Sequence, residues 1–263
     1  KFNPRIPHYS AILGGKVLPP PPDAVDYTTR MDPMFGMMLN DKLGDCTCAA
    51  YYHARQVWSY NSSKTELHEP DSNVLKLYRE ACGYDPMNPD TDQGGIMQDV
   101  LVYLSNVGAP VGTDGASRNK ILAFVEVDQR HPIDIKHCIN DCGAAYIGFD
   151  VPDYIMPETG PSPLIWKVKK TCFGKEVDAE IIGGHAVTLA GYDSKYLKVI
   201  SWGQVYNMTW EFFTKYTAEV YAIADKAWIT AQGTTIGGLS VDVLKEQMAA
   251  IKEEYNSDKR SIV

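Results

Sequence analysis

The sequence has no long apolar run and no excess of basic charge. Although 44% of its 263 residues are apolar, no run reaches the roughly 18 residues that a membrane-spanning helix needs. Acidic residues outnumber basic ones by 33 to 25, which gives a net charge of -8, and no basic patch is evident. We therefore expect neither a membrane nor a nucleic acid as a partner.

Cysteine is too sparse to indicate a disulfide framework. The chain has six cysteines without the spacing of small disulfide-stapled domains, and a chain of this length can bury a core without disulfides. The first residues, from Lys1, lack the apolar stretch of a signal peptide. These absences favour reduced thiols in a cytoplasmic protein, with association with a virion kept as an alternative.

One short cluster has metal-ligand chemistry. His137 and Cys138 are followed by Cys142 one helical turn later, and two thiolates with an imidazole can bind zinc. No fourth ligand is evident, and cysteines on the buried face of a short helix explain the spacing equally well. We expect the second interpretation, and hence no metal and no other cofactor.

The order of the predicted elements indicates an α+β fold with a cleft between a helical and a β-rich half. Helices are predicted over 46–60, 72–82, 96–106, 133–142, 207–217 and 239–255. Strands are predicted over 121–127, 143–150, 185–191, 195–201 and 219–224. The expected domains are a Pro-rich arm (1–25), a mainly helical lobe (26–128), a β-rich lobe (129–230) and a C-terminal helical extension (231–263). Assembly partners are expected on the arm or the last helix.

Two distant motifs carry the reactive side chains. Cys46 follows Gly44-Asp45 at the start of a predicted helix, and His185 follows Gly183-Gly184 at the start of a predicted strand. A helix N-terminus favours a thiolate, and an imidazole can exchange a proton with it. The two motifs thus predict a nucleophile and a general base on opposite sides of the cleft.

These motifs belong to an ordered set that resembles the papain-like cysteine peptidase superfamily over roughly residues 20–230. The fragments are Asp26-Tyr27 after a proline, Asn40 six residues before Cys46, Gly94-Gly95, His185-Ala-Val with its later Gly-Tyr, and Ser201-Trp202-Gly203. The chain is also similar to uncharacterised proteins encoded by bacteria and phages. The resemblance implies a two-lobed fold, with a helical lobe and a β-barrel-like lobe.

The resemblance also implies a role for each residue of the site. Cys46 would be the nucleophile, His185 the general base and then acid, and Asn40 a donor to the oxyanion. Gly94 and Gly95 would pair with the backbone of a peptide or protein segment in the cleft. Trp202 would cover the histidine and complete the substrate-binding set.

The largest departure from the family's pattern is at residue 200. Ile200 stands immediately before Ser201, where the resemblance implies an asparagine that orients the imidazole, and isoleucine cannot accept a hydrogen bond. Ser201, Asp193 or a backbone carbonyl is a candidate substitute. Asp45 would oppose a thiolate at Cys46 through like charge.

The sequence therefore supports two hypotheses of different classes. The first is a cysteine hydrolase that cleaves peptide or amide bonds through Cys46 and His185. The second is an inactive papain-fold binding or structural protein, such as a phage virion component. A transglutaminase-like enzyme shares the Gly-Asp-Cys start but explains the Ser-Trp-Gly fragment less well.

Overall fold

The structure, a computed structural model, describes residues 20–156 and 161–229. Most of the Pro-rich arm and the whole predicted helix over 239–255 lie outside the described residues. Among the described residues, no helix is both long and apolar enough to cross a bilayer.

Five α-helices are described, and the first is the centre of the helical part. The helices are α1 (Cys46–Ser63), α2 (Asp71–Cys82), α3 (Met97–Asn106), α4 (Pro132–Cys142) and α5 (Trp210–Tyr216). Helix α1 contains neither glycine nor proline, and most of its residues are buried, so tertiary packing stabilises it along its length. Lys64 follows its last residue as a left-handed C-cap, and the Lys64 N–H donates to the Tyr60 carbonyl.

A mixed sheet of eight strands forms the other half. The strands of the described residues are β1 (Val25–Asp26), β2 (Ala109–Val111), β3 (Ser117–Asn119), β4 (Ala123–Glu126), β5 (Ala145–Pro152), β6 (Ile165–Trp166), β7 (Ile181–Tyr192), β8 (Tyr196–Ser201), β9 (Gln204–Thr209) and β10 (Thr217–Ala224). The sheet order is β4-β10-β5-β7-β8-β9-β6, with β1 paired to the end of β7, while β2 and β3 form a separate ribbon. Among the described strand pairs of this sheet, only β6–β9 is parallel.

Helix α1 lies against the middle of this sheet. The Thr188 hydroxyl of β7 donates to the Ala50 carbonyl at 2.6 Å, and the Tyr146 hydroxyl of β5 donates to the Thr47 carbonyl at 2.7 Å. The indole of Trp58 donates to the Cys142 carbonyl at 2.8 Å. The first two contacts fix the start of α1 against β5 and β7, which positions the site.

The predicted α+β class is confirmed, and most predicted elements are present with shifted ends. The helix predicted over 207–217 is wrong in its first part, because β9 continues to Thr209 and α5 begins at Trp210. Alternating burial along β9 marks a strand, and the Thr209 hydroxyl caps α5 by accepting from the Phe212 N–H. Strand β4 lies in the main sheet although the expected boundary assigns it to the helical lobe; the division into domains stays a prediction.

Candidate active site

Cys46 is the first residue of α1 and is half-buried. Its sulfur interacts with the backbone N–H of Ala186, which immediately follows His185 in β7. Burial nevertheless raises the pKa of the Cys46 thiol to about 11, and the neighbouring Asp45 raises it further against the lowering effect of that N–H. The resting sulfur is therefore a protonated thiol at neutral pH.

His185 is held on two sides within β7. Its Nε2 lies 2.7 Å from Ser201 Oγ at the end of β8, and its ring stacks on Trp202 with centroids 4.6 Å apart and planes 11° from parallel. The ring of Phe149 meets the imidazole edge-on, with ring centroids 5.8 Å apart. Burial lowers the pKa of His185 to about 3, and a charge on His53 would lower it further, so the imidazole is neutral at rest.

Ser201, not Ile200, is the residue that faces the imidazole, so of the candidate substitutes it is Ser201 that contacts His185. Side chains alternate across a strand, and Ile200 pairs with Thr188 on the face that lies against α1. Its side chain is fully buried in a cluster with Val57 and Ala190. The next residue, Ser201, therefore projects to the face of His185. Asp193 accepts from backbone N–H groups of its own turn instead.

Trp202 has a backbone conformation that non-glycine residues seldom adopt. Its φ is 43°, in the left-handed region that costs a side-chain-bearing residue energy. The turn it makes between β8 and β9 is pinned by the Gly203 carbonyl, which accepts from the Phe35 N–H at 3.0 Å. The strained turn is what places the indole flat on His185.

Asn40 is engaged by the loop that precedes α1. Its Nδ2 donates to Asp45 Oδ1 at 3.2 Å and contacts the Leu43 carbonyl at 3.4 Å. Both amide hydrogens are thus directed at the loop in this state. Asp45 makes no side-chain cap bond to α1, and its second oxygen, Oδ2, is buried without a partner among the described residues. Burial raises the pKa of Asp45 to about 7.

The Gly94-Gly95 segment lies against the start of α1. The Gly94 N–H donates to the Tyr78 hydroxyl at 3.0 Å, and that hydroxyl donates to Asp92 Oδ1 at 2.6 Å. The same Asp92 oxygen accepts from the Gly44 N–H at 2.9 Å. Asp92 therefore ties the glycine loop to the turn before the nucleophile. Sequence reasoning missed this residue, because an aspartate in a loop rich in turn residues carries no distinguishing signal.

The residues considered for zinc have other partners. His137 Nδ1 lies 3.4 Å from Asp141 Oδ2, and Cys138 and Cys142 are buried in the core beneath the sheet. No group of three or more His, Cys, Asp or Glu within 20–156 and 161–229 is arranged to hold a metal ion.

Comparisons with known proteins agree with this architecture. No family model and no curated protein sequence matches the chain. Among solved structures it is similar to xylellain, a cysteine protease from Xylella fastidiosa, at 16% identity and a TM-score of 0.61, with 86% of this chain and 93% of that chain covered. It is also similar to procathepsin L 3 of Tenebrio molitor larval midgut, at 13% identity and a TM-score of 0.54, covering 78% of this chain and 71% of that one.

A third similar structure is the Carica candamarcensis cysteine protease CMS1MS2 in complex with E-64. The identity is 14% and the TM-score 0.50, with 78% of this chain and 99% of that chain covered. At identities this low, the similarity shows only the backbone architecture. The chain therefore has the fold of the papain-like cysteine proteases.

Proposed function

We propose that the protein is a cysteine hydrolase that cleaves peptide or amide bonds, with Cys46 as nucleophile and His185 as general base. The observation that carries this proposal is the approach of the Cys46 sulfur to the Ala186 N–H, because it brings the thiol to the residue that follows His185. The hydroxyl of Ser201 and the indole of Trp202 hold the imidazole there.

The first step joins the Cys46 sulfur to the carbonyl carbon of the substrate. Because thiol and imidazole are both neutral at rest, the thiol proton passes to His185 as the S–C bond forms. The imidazolium then gives this proton to the leaving amine, the C–N bond breaks, and water later hydrolyses the thioester. For these reaction steps, the Nε2–H of His185 must donate to the Ser201 hydroxyl. The Nδ1 atom then keeps a lone pair that can accept the thiol proton.

The oxyanion of the tetrahedral intermediate needs donors beside Cys46. The N–H of Cys46 lies in the first turn of α1, where backbone donors lack partners within the helix. Asn40 is the proposed second donor, and it would have to exchange its contact with Asp45 for the oxyanion. A protonated Asp45 releases that amide more readily than a carboxylate, since a charged acceptor makes the stronger hydrogen bond.

A second candidate function is a papain-fold binding or structural protein without catalysis. The observation that favours it is the resting charge state, because a pKa of about 11 for Cys46 and about 3 for His185 disfavours the ion pair. Neither the fold nor the comparisons bears on a phage particle, so that role stays a prediction.

Thiol labelling separates the two functions. The test uses Cys172→Ser protein, because Cys172 is exposed and would react with any electrophile. This protein is treated with E-64, the compound bound in the CMS1MS2 structure, and the adduct is located by mass spectrometry. The hydrolase requires one adduct, at Cys46, that forms at least tenfold more slowly when His185 is replaced by alanine.

Two controls define the result. Cys46→Ser in the same background should take up no label, and His131→Ala removes a surface imidazole and should label at the unchanged rate. Labelling of Cys46 at the same rate with and without His185 would favour the binding protein.

A further inference from the structure

Two further thiols meet beside the candidate nucleophile. Cys48 lies in the first turn of α1 and is fully buried, while Cys82 is the last residue of α2 and is half-buried. Both belong to the same packed cluster. Their thiols interact directly, which lowers the pKa of Cys82; the pKa of Cys48 is raised, by burial and then by the same contact.

The surroundings hold the Cys82 sulfur against α1. A Cβ atom added to Gly95 would lie 2.6 Å from Cys82 Sγ and 2.5 Å from Thr47 Oγ1. The sulfur therefore lies between the glycine loop and Thr47 in the first turn of α1, and Thr47 immediately precedes Cys48. Only a residue without a side chain fits at position 95 while the sulfur occupies this place.

We propose that Cys48 and Cys82 form an oxidation site, in which a peroxide oxidises the Cys82 sulfur and Cys48 then closes a disulfide between α1 and α2. The proposal is independent of hydrolase activity, because neither sulfur serves as the proposed nucleophile.

The reaction balances with hydrogen peroxide as oxidant. The Cys82 thiolate attacks one peroxide oxygen, so that an S–O bond forms, the O–O bond breaks, and a sulfenic acid and hydroxide result. The Cys48 sulfur then attacks the sulfenic sulfur, the S–S bond forms, and water leaves. Overall two thiols and one peroxide give one disulfide and two waters.

The division of roles follows from exposure and acidity. The thiolate is the reactive form of cysteine, and Cys82 combines a lowered pKa with partial exposure. Cys48 is inaccessible to peroxide but lies in contact with the sulfur that peroxide reaches. Burial raises the pKa of Cys46, which makes the candidate nucleophile the slower target.

The disulfide would tie the end of α2 to the helix that carries Cys46. A cross-link restricts the unfolded chain, so the oxidised protein should melt at a higher temperature than the reduced one. The reduced state should be recovered with dithiothreitol.

The experiment uses the full chain, reduced and freed of reductant. It is treated with hydrogen peroxide at pH 7, free thiols are blocked with N-ethylmaleimide, and the protein is digested without reduction for mass spectrometry. We expect a peptide cross-linked between Cys48 and Cys82, its loss on reduction, and a rise in Tm of several degrees. Cys142→Ser, which changes a distant buried thiol, should form the same cross-link.

Two outcomes would overturn the proposal. One is oxidation of Cys82 to sulfinic acid while Cys48 is recovered as a maleimide adduct. The other is a cross-link between Cys46 and Cys82 in place of the expected one. All of these results are read from wild-type protein. The test therefore needs no substitution at Cys82, which could prevent folding.

Discussion

His185 Nε2 and Ser201 Oγ lie 2.7 Å apart, so a hydroxyl occupies the position from which the imidazole is oriented. A hydroxyl can donate or accept, whereas a side-chain amide oxygen only accepts. Ser201 therefore restrains the ring position but does not by itself select the tautomer that leaves Nδ1 free. Because its hydroxyl can play either role, Ser201 orients the imidazole less strictly than the asparagine that the resemblance implies.

Replacing Ser201 with alanine tests this contact. We expect kcat to fall by about 10- to 100-fold, less than the roughly 10⁴-fold loss that a wrong histidine tautomer can cause, because Trp202 still holds the ring. The measurement is hydrolysis of a fluorogenic peptide amide. Ser117→Ala, in an exposed strand of the β2–β3 ribbon, should leave kcat unchanged; an equal loss in both variants would contradict the orienting role.

The sequence was sufficient for the elements but not for their register. A glycine-free segment predicted α1, and apolar-rich segments predicted β4, β5, β7, β8 and β10 with shifted ends, since helix and strand formation depend on local pattern and burial. Whether residue 200 or 201 faces residue 185 depends on how β8 pairs with β7, and a shift of one residue exchanges the two faces. The sequence therefore left Ser201, Asp193 and a backbone carbonyl as alternatives, and the register of β8 brings Ser201 to the ring.

Contacts between elements distant in sequence were likewise beyond prediction. The contact of Cys48 with Cys82 depends on how α2 packs on α1. The resting pKa values of Cys46 and His185 depend on burial by Trp202, Phe149 and the sheet. A motif gives the identity of such residues but not the dielectric environment that sets their charge.

Removing the indole over His185 should change the acidity of the imidazole. Burial lowers the pKa of His185 to about 3, and Trp202→Ala admits water to one face of the ring. We expect the pKa to rise towards the ordinary value of about 6.5, as read from histidine proton shifts in an NMR titration. Trp210→Ala, which removes an indole bonded to the Asp193 carbonyl, should leave it unchanged.

The same depressed pKa predicts how wild-type stability depends on acid. The unfolded chain binds a proton at His185 below about pH 6.5, whereas the folded chain does so only near pH 3. The contribution of His185 to folding is therefore complete above pH 6.5 and is lost as the pH falls towards 3. His185→Gln should show a shallower loss of unfolding free energy over this interval, measured by urea denaturation; parallel curves would contradict the burial effect.

Asp45 should lower the free energy of unfolding as the pH rises, which is opposite to the effect of His185. Its folded pKa is raised from 3.8 to about 7, so the folded chain holds a proton that the unfolded chain has lost. Stability therefore falls as the pH rises from about 4 to 7 and is level above that. Three pKa units correspond to about 4 kcal/mol, which is the upper bound of the gain expected for Asp45→Asn at pH 8.

Denaturation of Asp45→Asn at pH 5 and pH 8 measures this gain. Asparagine keeps an oxygen that can accept from Asn40, so the local hydrogen bond is preserved while the charge is removed. Asp41→Asn removes the same charge from an exposed position of the same loop and should follow the wild-type pH dependence. An equal effect of both substitutions would assign the pH dependence to net charge instead of burial.

The close packing at Gly95 gives a prediction that does not depend on catalysis. A Cβ atom there would lie 2.5 Å from Thr47 Oγ1 and 2.6 Å from Cys82 Sγ, whereas one at Gly183 would meet nothing within 4 Å. We expect Gly95→Ala to lower the free energy of unfolding by about 1–3 kcal/mol and Gly183→Ala to change it by less than about 0.5 kcal/mol. Urea denaturation of the two variants measures the difference. If both were equally stable, the glycine loop could not be holding Cys82 against α1, and the packing that brings Cys82 to Cys48 would need another cause.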